Sequence, residues 1–228
     1  MSTVDRPERR LLPSLVAGQR LDQPTFHARY EAMPPGTRAE LVGGIVSMPS
    51  PLPLDHGLTD RNLSYWLGHY CRFTPGVMGA TNTTTILSES SEPQPDNQLH
   101  LLSGLGGRTK VVEGYLVGPP ELVVEIGRSS RKFDLGAKKD DYEAAGVPEY
   151  LFVGLDPFEV RWFVLLDGQY VDLPPDSDGI FRSAVFPGLW LDPMALAEGD
   201  LNKLARIVEA GIAGPDHEAF VARFDRMR

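Results

Sequence analysis

In the segment Leu54 to Phe73, Leu63, Trp66, Leu67 and Tyr70 recur at intervals of three and four, with Leu58 a turn earlier. That spacing predicts an amphipathic helix, the longest in the chain. Before it, Gln23-Pro24 followed by Thr25 to Met33 reads as a short helix with proline in its first turn, broken by Pro34-Pro35-Gly36. The period then changes. Arg38 to Val42 and Ile45 to Met48 flank Gly43-Gly44 and predict a tight β-hairpin. Downstream, Val77 to Ala80, Thr83 to Leu87 and Asp96 to Leu102 have strand character, and Lys110 to Leu116 reads as a weaker strand after the glycine-rich Ser103 to Arg108.

Glu121 to Ile126 contains the continuous run Leu122-Val123-Val124. A strand with no polar alternation is covered on both faces, so this one belongs at the centre of a sheet. Lys132 to Ala145 predicts a helix stopped by Gly146, followed by strands at Glu149 to Leu155, Val160 to Leu166 and Gln169 to Val171. Strand, helix, strand and then a meander imply an α/β fold: a mixed β-sheet with one crossover helix, flanked by helices. Phe181 to Leu191 forms a last strand or an extended arm. Helices at Asp200 to Gly211 and His217 to Met227 close the chain, with Phe220, Val221, Phe224 and Met227 on one side of the last. The expected organisation is a flexible arm over 1–20, one domain over 21–191 and a helical extension over 192–228.

Composition narrows the class. The 228 residues are 42% hydrophobic and 23% charged, which excludes a disordered polymer. A lone cysteine, Cys71, supplies neither an internal disulfide nor a cysteine-based zinc cluster and suits a reducing, cytoplasmic setting. No apolar run approaches the roughly 20 residues of a membrane span. The net charge of −9 argues against a broad basic nucleic-acid surface while leaving room for a local basic cleft.

Several familiar signatures are incomplete. Gly104, Gly106 and Gly107 do not form a dinucleotide fingerprint, and no Walker A loop is present. His217-Glu218 is followed by Val221 where a zinc protease needs a second histidine. What remains is a set of acids beside the strongest strands: Glu40 in the hairpin, Asp96 after Pro95, and Glu125 at the end of the Leu-Val-Val run. Burying one ionised carboxylate costs several kcal/mol unless it is paired or binds a cation. Three grouped acids suggest Mg²⁺, a hard cation that relieves their repulsion, whereas each alone also fits a structural ion pair. Lys138 lies between Asp134 and Tyr142 on one helical stripe, so it can reach the end of the preceding strand or pair with Asp134 on the surface.

Taken together, Arg38 to Val46, Met48-Pro49-Ser50-Pro51 with His56, Pro95-Asp96, Pro120 to Ile126, Phe133 to Lys138 and Tyr142 to Tyr150 resemble a family of putative restriction endonucleases abundant in cyanobacteria and other bacteria. That family is similar to the PD-(D/E)-X-K nuclease superfamily. The resemblance runs from about Pro24 to about Asp156. It implies a Mg²⁺-dependent (or Mn²⁺-dependent) endonuclease acting on DNA, with Asp96 and Glu125 as metal-binding acids, Glu40 as an additional acid and Lys138 as the catalytic lysine. The superfamily's usual lysine position is Gly127 here, so the lysine has moved to the following helix. Gly127-Arg128-Ser129-Ser130-Arg131 also departs from the family's Ser-Pro-Ser type stretch. Arg128 and Arg131 are either phosphate contacts or solvated charges, and His56 is either a structural residue or a phosphate contact. The leading expectation is a homodimeric DNA endonuclease, the dimer face being the stripe of Phe220, Val221, Phe224 and Met227. The competing one is a catalytically silent dimeric binding module that retains the fold.

Overall fold

The computed structural model describes residues 12–225. It begins with α1 (Gln23–Glu31), whose N-cap Asp22 accepts from the Thr25 amide, and the hairpin β1 (Glu40–Val42) and β2 (Ile45–Ser47). Gly43 and Gly44 both have positive φ, the conformation that a two-residue hairpin turn matched to strand twist requires. Then come α2 (Leu54–Phe73), β3 (Val77–Thr81), β4 (Thr85–Ile86), β5 (Asn97–Leu101), β6 (Lys110–Val112), β7 (Tyr115–Val117) and β8 (Leu122–Gly127). The crossover is α3 (Arg131–Phe133), a wide π-type turn at Asp134–Lys138 kinked at Gly136, and α4 (Lys139–Ala144). β9 (Glu149–Leu155), β10 (Phe158–Leu166), β11 (Gln169–Asp172), β12 (Phe181–Arg182) and β13 (Trp190–Leu191) follow, then α5 (Pro193–Glu198), α6 (Leu201–Ile212) and α7 (Pro215–Asp225).

Six strands form one mixed sheet in the order β11-β10-β9-β8-β5-β3. All neighbours are antiparallel except β8 and β9, which run parallel because the crossover helix returns the chain to the same end. Every residue of β8 is buried. Leu122, Val124 and Ile126 enter the larger core with Leu63, Trp66 and Tyr70 of α2, whereas Val123 packs with Tyr142, Tyr150 and Phe152 on the crossover side. Alternation along the strand therefore sends Glu125 toward the crossover helix.

Four expectations change. Lys110 to Leu116 is not one strand; Glu113-Gly114, both with positive φ, turn β6 back as β7 in a small sheet with β4. Phe181 to Leu191 is two short antiparallel strands. An extra helix, α5, starts at Asp192-Pro193, where the Asp192 carboxylate accepts from the Met194 and Ala195 amides. Finally, Phe220 and Phe224 are not an exposed stripe. Both lie in the larger core of their own chain, with Phe186 edge-on to Phe220, and Met227 lies outside the described residues.

The arm also differs in its later part. Residues before 12 lie outside the described residues, but Leu15 is buried with Phe26, Ala39, Leu41 and Val46. The Gly18 amide donates to the Val46 carbonyl at 2.8 Å and Val46 to Gln19 at 2.8 Å, so this segment lies along the hairpin that carries Glu40. Among the described residues no helix is long and apolar enough to cross a membrane.

Candidate functional site

The ends of β8, β5 and β1, the start of α2 and the kinked crossover converge on a cleft of about 340 Å³. Glu40, Asp96, Glu125 and Lys138 all line it, together with His56 and Asp134. Asp96 directly precedes β5, and its Oδ2 accepts from the Ile126 amide at 2.8 Å. Glu125 comes from β8 and Lys138 from the π-type turn 13 residues later; Lys138 Nζ donates to Glu125 Oε1 at 2.9 Å. Tyr142, a turn further on, donates to the same oxygen at 2.6 Å. The hairpin brings Glu40 in from the other side, where its Oε1 accepts from Lys138 at 3.0 Å and from the Gln94 amide at 2.8 Å.

Two sequence expectations about this set change. Lys138 is not half of a surface pair with Asp134: it is 6% exposed, and its hydrogen bonds go to Glu125 and Glu40. Nor do Glu40, Asp96 and Glu125 form a three-carboxylate cage. Among the described residues no three His, Cys, Asp or Glu side chains are grouped to hold a metal by themselves. The Lys138 ammonium lies between Glu40 and Glu125, within hydrogen-bond distance of both.

Four carboxylates share this space with one lysine. Burial pushes Glu125 well above the usual carboxylate range, opposed by Lys138 and reinforced by Asp96 and Glu40. Burial works against the Lys138 ammonium, but Glu125 and Glu40 outweigh it and hold the lysine protonated. Asp134 is raised to about 6, chiefly by burial, with Lys138 opposing. His56 lies 3.5 Å from Asp96; burial disfavours its charged ring, yet Asp96 outweighs that and raises it.

At the rim, Arg128 pairs with Asp55 at 2.9 Å, and Arg131 is paired with Glu159. Arg38 also lines the cleft, is exposed and has no ion pair among the described residues. Met48, Pro49, Pro51, Leu52 and Pro53 add apolar surface to the lining of the cleft. Sequence reading did not assign roles to Asp134 or Tyr142, although both share Lys138's helical stripe, a signal that could have found them.

The family model described as "Uma2: Putative restriction endonuclease" matches residues 24–195, which include every residue of the cleft. The chain belongs to this family. A solved structure described as "a putative nuclease belonging to DUF820 from Anabaena variabilis ATCC 29413" is similar to it, with a TM-score of 0.57, 12% identity, and coverage of 75% of this chain and 96% of the other. At that identity the likeness concerns the fold alone. No curated protein matches.

Within the Uma2 fold Gly127 has a specific job. A Cβ there would stand 2.6 Å from Asp134 Oδ2 and 2.7 Å from the Phe152 ring. A side chain at this position is therefore blocked by Asp134 and Phe152, and the lysine that lines the cleft comes from the crossover. Gly127→Ala is expected to destabilise the chain by about 1–3 kcal/mol, the range for overpacking a filled site. Urea titration measures this, and an unchanged midpoint would show that Asp134 and Phe152 yield freely.

Proposed function

We propose that the chain is a Mg²⁺-dependent endonuclease that hydrolyses DNA phosphodiester bonds, with Mn²⁺ able to replace Mg²⁺. The observation that carries this reading is the juxtaposition of Asp96 and Glu125, at adjacent strand ends in an open cleft, with a buried lysine on the second. Mg²⁺ binds proteins through one or two carboxylates and fills its remaining positions with waters and phosphate oxygens. Asp96 Oδ1 and Glu125 Oε2 suit that demand: they are hard oxygen donors on cleft-lining residues and make no hydrogen bond among the described residues. Glu40, expected as a third ligand, serves instead to hold Lys138. When bound, Mg²⁺ would supply positive charge to phosphate oxygens and lower the pKa of a bound water.

The chain's own groups do the rest. The Ile126 amide fixes Asp96, and Tyr142 with Lys138 fixes the carboxylate of Glu125, so both ligands are oriented before any ion arrives. Lys138 carries a permanent positive charge into a buried site, where it favours the extra negative charge that develops on phosphate during attack. Arg38 is placed to meet a flanking phosphate at the rim.

Supercoiled plasmid incubated with the protein and Mg²⁺ or Mn²⁺ is expected to become nicked or linear, and EDTA to prevent it. A second reading, a catalytically silent binding module, draws on one observation: the two arginines that follow β8 are spent on Asp55 and Glu159. Plasmid left intact with either metal would favour it. A homodimer would present two clefts to the two strands of a duplex, and it must use a face other than the C-terminal stripe. Light scattering is expected to give twice 25.1 kDa. Particles of 25.1 kDa would mean that each chain cuts one strand at a time.

A further inference from the structure

Hydrolysis needs a group that takes a proton from the attacking water, and Lys138 is a poor candidate. Two carboxylates at 2.9 and 3.0 Å hold it as an ammonium, which has no lone pair to offer. Glu125 accepts two hydrogen bonds on Oε1, one from Lys138 and one from Tyr142, and Asp96 is held by the Ile126 amide. Asp134 differs. Its Oδ2 is the one carboxylate oxygen among the described residues that is fully buried yet without a hydrogen-bond partner. Leaving such an oxygen without a partner costs its desolvation, and more when it is charged.

Its placement is built rather than accidental. The Asp134 amide donates to the Ser130 carbonyl at 2.9 Å, and the Tyr150 hydroxyl donates to the Asp134 carbonyl at 3.0 Å, which fixes the backbone at the start of the kinked turn. The missing side chain at Gly127 leaves the space into which Oδ2 projects, beside the strand end that bears Glu125. The residue lines the same cleft as Asp96, Glu125 and Lys138.

Resting on the nuclease reading, we propose that Asp134 is a further catalytic residue, whose carboxylate, at the wall of the cleft, accepts the proton of the attacking water. The water oxygen forms a bond to phosphorus and the bond from phosphorus to one ester oxygen breaks. The proton from the water passes to Asp134, the departing oxygen takes a proton from a second solvent water, and Asp134 returns its own proton to the hydroxide so formed. One water is consumed, and a phosphate monoester and a hydroxyl result.

The test compares parent, Asp134→Asn and Asp134→Ala by plasmid nicking with Mg²⁺, by thermal melting with and without Mg²⁺, and by nicking with added formate. Asp134→Asn is expected to lose about 10²-fold or more in rate, the lower end of what a general base contributes. Its melting temperature without metal should equal or exceed that of the parent, and the Mg²⁺-induced rise should be unchanged. Formate, a small carboxylate, should restore part of the rate to Asp134→Ala, whose cavity admits it, and none to Asp134→Asn. Nicking by Asp134→Asn within tenfold of an active parent overturns the assignment and leaves the nuclease reading standing. Loss of the Mg²⁺-induced rise in Asp134→Asn would make Asp134 a metal ligand, and failure of formate to rescue Asp134→Ala would make its role structural; either result overturns the proposal. A parent that neither nicks nor responds to Mg²⁺ removes the nuclease reading and the base with it.

Discussion

Glu125→Gln is expected to abolish metal-dependent nicking while leaving the chain folded and, without metal, as stable as the parent or slightly more so. The amide oxygen can take the place of Oε1 and keep both hydrogen bonds, from Lys138 and from Tyr142. What disappears is the anionic donor on the cleft side, for which an amide is a poor substitute toward Mg²⁺. Stability follows from the sign of the Glu125 shift. Its folded value lies above the ordinary carboxylate value because it is buried, with Asp96 and Glu40 adding repulsion against Lys138's attraction. A group of that kind gives a contribution that is full at low pH and lost as pH rises from the ordinary carboxylate range through the raised folded value. At neutral pH the parent therefore bears a cost that the neutral amide does not. Like charges a few Å apart repel by about 1–4 kcal/mol between bulk-water and protein-surface dielectrics, which bounds the gain. Thermal melting from pH 5 to pH 8, with and without Mg²⁺, measures it. A variant less stable than the parent, beside a parent indifferent to Mg²⁺, would make Glu125 a structural ion-pair partner and remove the metal site.

Lys138→Met has the larger expected effect on stability. The thioether side chain fills the space but leaves Glu40 and Glu125 buried without their counter-charge, and breaking a buried pair in this way costs about 3–5 kcal/mol. Lys138 itself is raised above its ordinary value, so its contribution is fully present below the usual lysine range and is lost only as pH climbs through the raised value. The parent therefore shows no loss from Lys138 near neutrality. In the variant Glu125 loses the attraction that opposed its upward shift, so the deficit should be greatest at pH 8 and shrink toward pH 5 as Glu125 takes up a proton. Combining Lys138→Met with Glu125→Gln should cost less than the sum of the two, because the second change removes one of the stranded charges. Urea denaturation of the four proteins at pH 5 and pH 8 gives the whole cycle, and a deficit independent of pH would show that Lys138 stabilises by packing alone.

The elements dominated by local physics were legible in the sequence. Leu63, Trp66, Leu67 and Tyr70 announce α2 because a helix must bury one stripe, and Leu122-Val123-Val124 announces the central strand because nothing polar interrupts it. Gly43-Gly44 announces the turn that presents Glu40, since two consecutive residues with positive φ there favour glycine. Glu40, Asp96, Glu125 and Lys138 could be picked out for the same reason, as charged groups beside strands that ought to be buried.

Tertiary structure alone decided who meets whom. Periodicity reports that Phe220 and Phe224 share an apolar face, but not that their own chain covers it. Composition reports arginines after β8, but not that Asp55 and Glu159 already hold them. Lys138 joins Glu40 across 98 residues and Asp96 meets the Ile126 amide across 30, separations over which no local preference carries information. The unpartnered oxygen of Asp134 is the extreme case. Gly127, Asp134 and the kink at Gly136 are close in sequence, but only the packing of the crossover against β8 and Phe152 of β9 leaves that oxygen buried without a hydrogen-bond partner. Sequence determines which groups are costly to bury; the long-range register of β5, β8 and the crossover determines which of those costs are left for a ligand to relieve.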